Sequence, residues 1–237
     1  MELIGIVIDL IPIKEEDAMV RLISYDGIVS FFGRRIMNQK NAYYAPMQPF
    51  AKSHVWLTEG TQGGLRLKQA RLESYTAINY QSLEQYALLA LIKETLAQLA
   101  PTDDYRALYE LVETVLEVAQ ASHLATFAAL MYLHQLLNIL GWGLELSGCV
   151  SCETKTDIVG LDLQLGGFVC RKHYRPIDSL ALSHNQLTLL AALKNVDLKN
   201  FATNQFAKDP IHSILAIMAK HYENMTGRSL KSLKLFK

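Results

Sequence analysis

The first thing this sequence lacks is net charge. Its 237 residues carry 23 lysines and arginines against 23 aspartates and glutamates. A uniformly basic nucleic-acid binder is excluded, and so is an acidic solvating chain. Catalytic signatures are missing as well. There is no P-loop and no G-x-G-x-x-G, which argues against an ATPase or a dehydrogenase. Neither H-E-x-x-H nor the H-x-E with P-C-x-x-C of zinc deaminases occurs, so zinc hydrolysis and deamination lose their usual constellations. His123, His134, His184, His212 and His221 are scattered and read as surface or core histidines, not as general bases. No internal repeat or low-complexity segment is evident. The opening Met1–Asp9 has no basic n-region and no cleavage site, so no signal peptide is expected. Cysteine is scarce, with three residues, all clustered, which agrees with a reducing, cytoplasmic location.

What is present is globular: half the residues are hydrophobic. The stretch from Leu124 to Leu144 is strongly apolar, but Thr126, His134, Gln135 and Asn138 interrupt it and Gly141-Trp142-Gly143 closes it. It reads as a helix buried on most sides, not as a membrane span. Charge is segregated although its sum is zero. From Arg34 to Arg71 the basic residues are Arg34, Arg35, Lys40, Lys52, Arg66, Lys68 and Arg71, against Glu59 alone. Between Thr76 and Gly148 the balance turns acidic. Segregation of this kind can build a local binding face on a neutral protein; otherwise these are solvated surface charges.

The three cysteines fall in Cys149-Val-Ser-Cys152 and Cys170-Arg-Lys-His173, a C-x2-C-x17-C-x2-H pattern. Two tight pairs separated by a loop can wrap one tetrahedral zinc ion. Gly166 and Gly167, just before the second pair, supply turn freedom. Four protein ligands leave no position for water, so such a zinc holds structure and does no chemistry. The other readings are a redox C-x-x-C, which lacks a thioredoxin-like context, and three core cysteines without metal.

Before the cysteines, the period of the hydrophobic pattern changes once. Leu3–Ile11, Met19–Tyr25, Ile28–Phe32, His54–Glu59 and Leu65–Ser74 read as strands, with a hairpin turn at Asp26-Gly27. Five short strands suggest a closed OB-fold barrel. From about Ser82 the period is helical. Leu83, Tyr86, Ala87, Ala90, Leu91 and Thr95 make one face, Leu108, Leu111, Val112, Val115 and Leu116 the next, with a break at Pro101 and Asp103-Asp104. Ser183-His-Asn-Gln186 has the form of a capping box, and Asp209-Pro210 that of a helix start. The expected fold is α+β with two domains: an OB-fold over 1–78, and a helical domain over 79–237 with a zinc-binding insertion at about 147–175.

This order resembles RecO, a bacterial family of DNA repair and recombination mediators, over the whole chain. The likeness is carried by Gly5-Ile-Val-Ile-Asp9, Val20–Gly27, Phe31-Phe-Gly-Arg-Arg35 and Gln48-Pro-Phe50. Its most specific part is Leu136–Trp142 leading into Cys149-Val-Ser-Cys152, completed by Gly166-Gly-Phe-Val-Cys170. Two departures stand out. The family's fourth ligand is usually Cys, where this chain has His173. Ile36, Met37, Asn38 and Gln39 occupy positions where the family tends to be basic or small.

The resemblance implies a protein that is not an enzyme. It would bind single- and double-stranded DNA, anneal complementary strands, and engage RecR and the acidic, apolar-ended tail of single-strand-binding protein so that RecA loads. It would be monomeric alone, cytoplasmic and nucleoid-associated. On that reading Arg34, Arg35 and Lys40, with Lys52, Arg66 and Lys68, meet phosphates, and Tyr43, Tyr44 and Phe50 offer ring faces to bases. The two tyrosines could equally pack their loop onto the barrel. The alternative function is a protein-docking module with a structural zinc and no DNA affinity.

Overall fold

A computed structural model describes residues 1–60, 63–76, 82–99, 104–120, 124–194 and 208–236. The chain forms two compact units, Met1–Ile78 with Leu96–Glu117, and Asn79–Thr95 with Val118–Lys237. The sequence reading divides the chain between 78 and 79, which lies outside the described residues, as do Pro101, Asp103 and His123. It also places 96–117 in the helical domain, whereas the fold groups that segment with the barrel. The physical reason lies on the helix Tyr105–Ala119 (α2). Its Tyr109 ring sits 4.6 Å from that of Tyr25, and its Glu113 takes the Lys52 ammonium at 2.5 Å.

The first unit is built on a closed barrel in the order β1-β2-β3-β5-β4. Its strands are β1 (Glu2–Pro12), β2 (Ala18–Ser24), β3 (Gly27–Gly33), β4 (Ala51–Glu59) and β5 (Leu65–Tyr75). All pairings are antiparallel except β3 with β5, which run parallel. This is the five-stranded OB topology. The β2–β3 turn is Tyr25-Asp26, one residue earlier than expected, because Ser24 pairs with Gly27. Alternation sends Val7, Val20, Leu22, Phe31, Val55 and Leu57 inward. Ile36 and Met47, from the irregular segment between β3 and β4, are also fully buried in this core. A side chain on Gly33 would strike Ile36, so that glycine is what lets Ile36 in.

The second unit is helical around α3 (Ala125–Ile139), which is buried on nearly every side. Among the described residues no helix is long and apolar enough to cross a membrane. The helix stops at Gly141, whose φ is 74°. Trp142 N–H donates to Leu137 O and Gly141 N–H to Asn138 O, the paired bonds of a Schellman cap. On α1 (Leu83–Gln98) the expected stripe is shifted. Leu83 and Tyr86 are exposed, and the buried row runs through Ala87, Leu88, Leu91, Ile92 and Thr95. The capping box at Ser183 forms in full at the head of α4 (His184–Leu193). The last helix, α5 (Lys208–Thr226), begins one residue before Asp209, with Pro210 in its first turn.

His134 and His221 are buried in this unit. Burial lowers the His134 pKa, and His221 meets the Trp142 carbonyl at 2.8 Å. Both are core histidines.

Candidate metal centre and nucleic-acid face

Between α3 and α4 a small antiparallel sheet, unforeseen from the sequence, carries the cysteines. It is β6 (Ile158–Asp162), flanked by β7 (Gly167–Cys170) and β8 (Ser179–Ala181). Cys149 and Cys152 lie on a turn closed by Glu153 N–H to Cys149 O at 2.7 Å. Cys170 ends β7, and His173 N–H returns to Cys170 O at 2.9 Å. Val150 N–H donates to Phe168 O, tying the first turn to β7. Gly166 adopts φ 76°, and a side chain on Gly167 would collide with the Glu145 carbonyl and Val150. Both glycines are therefore needed for the two turns to face each other.

The ligand atoms of Cys149, Cys152, Cys170 and His173 all lie within 4.8 Å of one another. Cys152 Sγ to Cys170 Sγ is 3.8 Å. His173 Nδ1 is 3.6 Å from Cys149 Sγ and 3.4 Å from Cys170 Sγ. With Zn–S of ~2.3 Å and Zn–N of ~2.05 Å, a tetrahedron has S···S edges of about 3.8 Å and S···N edges of about 3.5 Å. Those three edges match these dimensions, and all three cysteines are free thiols.

Its electrostatics also ask for a cation. Burial pushes the Cys149 thiol up, but the N–H groups of Cys170, Ser151 and Cys152, together with His173, outweigh it and bring the pKa to about 6. At Cys152 the Thr154 N–H pulls down, yet desolvation and the thiols of Cys149 and Cys170 leave the pKa raised. Negative charge on neighbouring sulfurs is mutually repulsive, and a positive ion among them would relieve it. The residues fit a metal ion, and a Cys₃His donor set is one that zinc favours.

The eight residues expected to meet DNA are not equivalent. The parallel β3–β5 pairing sets Phe32 beside Arg66, whose guanidinium lies 5.5 Å from the ring centroid. Lys68 is exposed two residues along β5, at an irregularity in its pairing with β4, and Arg34 is exposed just past the end of β3. Arg34, Lys40, Arg66 and Lys68 have no ion-pair partner among the described residues, whereas Arg35 and Lys52 do. Glu16 takes Arg35 Nε at 3.0 Å, and Asp17 takes its backbone N–H at 2.8 Å. Arg35 has φ 55°, a left-handed conformation costing roughly 1–2 kcal/mol, so these contacts hold a strained loop. Lys52 is taken by Glu113 and lies over the Tyr109 ring.

Tyr43 packs against the barrel core and its hydroxyl donates to Lys68 O at 3.4 Å. Tyr44 is half-buried, and its carbonyl accepts from Gln48. Phe50 is buried, so its ring offers no face to a base. Phe32 is the aromatic that meets one of the unpaired cations, Arg66. Alternation across Phe31-Phe32, one ring in and one out, was the signal that could have found it.

Residues 80–234 match the family model described as Recombination protein O C terminal. The chain belongs to the RecO family. RecO relatives align over nearly its whole length. The DNA repair protein RecO of Bifidobacterium animalis is 22% identical over 97% of both chains. The DNA repair protein RecO of Lactobacillus delbrueckii is 26% identical, covering 93% of this chain and 90% of its own. That of an Exiguobacterium strain is 24% identical, covering 98% and 93%. The Cys₃His cluster lies within the stretch that the RecO model matches.

Proposed function

We propose that the chain acts in DNA repair and recombination as a strand-annealing mediator. It binds single- and double-stranded DNA through the barrel and cleaves no bond itself. It works with RecR and with the tail of single-strand-binding protein to help RecA load on coated DNA. Zinc at Cys149, Cys152, Cys170 and His173 holds the knuckle and takes no part in chemistry.

The observation that supports this best is the Phe32–Arg66 pair on the barrel, with exposed Arg34 two residues after Phe32 and exposed Lys68 two residues after Arg66. A ring and a guanidinium can stack an unpaired base, and the flanking cations can follow a phosphate chain without reading sequence. Arg35 and Lys52 do not take part at neutral pH, because carboxylates already occupy them.

The test is annealing of two complementary oligonucleotides, each coated with single-strand-binding protein, at two salt concentrations. Wild type is compared with Arg34→Ala/Arg66→Ala/Lys68→Ala. Salt-sensitive annealing that the triple variant loses supports the mediator. No annealing and no oligonucleotide binding at low salt favours the docking module instead.

A further inference from the structure

We propose that Cys152 is a peroxide-sensitive thiol whose oxidation closes a disulfide with Cys170 and expels the metal. The inference rests on the metal reading above. Of the three cysteines, Cys152 alone is exposed, while Cys149 and Cys170 are buried. Its sulfur is 3.8 Å from that of Cys170, so a resolving thiol stands next to the accessible one. An accessible thiol beside a second cysteine is the arrangement of oxidant-sensing sites.

The chemistry balances with hydrogen peroxide as the two-electron oxidant. Cys152 thiolate attacks one peroxide oxygen and the O–O bond breaks, leaving a sulfenic acid and one hydroxide. Cys170 thiolate then attacks the Cys152 sulfur, and the S–O bond breaks with loss of a second hydroxide. Two thiolates are oxidised, one peroxide is reduced, and one S–S bond forms. The metal is left with Cys149 and His173, too few donors to hold it. The new disulfide keeps the two turns joined. The turn after Cys170 loses its His173 anchor, and with it the placement of Lys172, Arg175 and the almost fully exposed Ile177 (95%).

The test uses the whole chain, purified under reducing conditions, with metal content measured first. Peroxide is then added in the presence of a chromophoric zinc chelator, and the thiols are mapped by non-reducing peptide mass spectrometry. Wild type should release its zinc as the Cys152 and Cys170 peptides join with loss of two hydrogens. Cys152→His keeps four donors without the exposed thiol, so it should hold zinc and stay unmodified under the same treatment. Zinc release at the same rate from Cys152→His overturns the proposal. So does a disulfide that joins Cys149 to Cys170. Protein that carries no zinc before peroxide overturns the metal reading, and the disulfide map then still decides the thiol chemistry.

Discussion

In the knuckle, four donors from two turns converge because backbone hydrogen bonds aim them: Glu153 to Cys149, His173 to Cys170, and Val150 to Phe168. On the barrel, cations drawn from a similarly short stretch of chain separate. Arg35 turns to Glu16, Lys52 to Glu113, and Arg66 to the Phe32 ring. The difference is one of reach. A cysteine has one rotatable bond to its sulfur, so backbone geometry settles where the ligand goes. A lysine or arginine has a long flexible stem, and its position is decided by whichever carboxylate or ring comes within range.

The largest effect that would sharpen this contrast is metal removal. Cys149→Ala, or a strong chelator, should lower bound zinc from about one per chain to near zero. It should expose the amides of β6 and β7 to hydrogen exchange while those of β1 to β5 stay protected. A variant with full zinc content would break the assignment. Gly167→Ala tests the backbone directly, since its new methyl meets the Glu145 carbonyl. A cost of about 1–3 kcal/mol, with weaker zinc affinity, is expected from thermal melts and metal titration.

The barrel predictions are smaller and concern side chains. Removing Arg34, Arg66 and Lys68 together should reduce the salt slope of single-strand binding by about 2, at roughly 0.7 for each phosphate no longer neutralised. Phe32→Ala should weaken binding by about 1–3 kcal/mol with the slope unchanged, because a ring stacks on bases and meets no phosphate. An altered slope in Phe32→Ala would remove the stacking role. Lys52→Ala should leave oligonucleotide binding untouched and cost at most about 1 kcal/mol of stability, the range for a partly exposed ion pair.

Glu16 gives the pH test. The Arg35 and Asn38 hydrogen bonds hold its carboxyl below the usual carboxylate range. A depressed carboxyl contributes to the fold above its unfolded pKa, and that contribution fades as pH falls through the folded value. Arg35 should therefore come free only in acid. Glu16→Gln should mimic that release at neutral pH, steepening the salt slope by about 0.7 if Arg35 then reaches DNA. An unchanged slope would mean that Arg35 serves the loop alone.

Much of this fold was legible. Strand periods over Leu3–Ser74 lead to the barrel because inward residues must alternate, and Ser183–Gln186 announced its cap by residue type alone. The four candidate donors of the knuckle were legible from spacing, and the fold brings them together. The surface was harder to read. The RecO resemblance implied basic or small residues at Ile36 and Met37, which read as a thin basic run. In the fold, Ile36 fills the barrel core and Met37 packs against it. Asn38 donates to Glu16 at 2.6 Å, so of Ile36–Gln39 only Gln39 is exposed. The departure concerns packing, not surface charge.

The sequence alone determined the barrel strands, the main helices and the four candidate donors, since each follows from local period, turn chemistry or the short reach of cysteine. Only the tertiary structure decided which cations remain unpaired, that Phe32 and not Phe50 faces outward, that 96–117 groups with the barrel, and that Cys152 is the exposed thiol. Each of those depends on which distant side chain lies opposite in space. One chain read in order does not contain that pairing; it arises when β3 runs beside β5 and α2 brings Glu113 to Lys52.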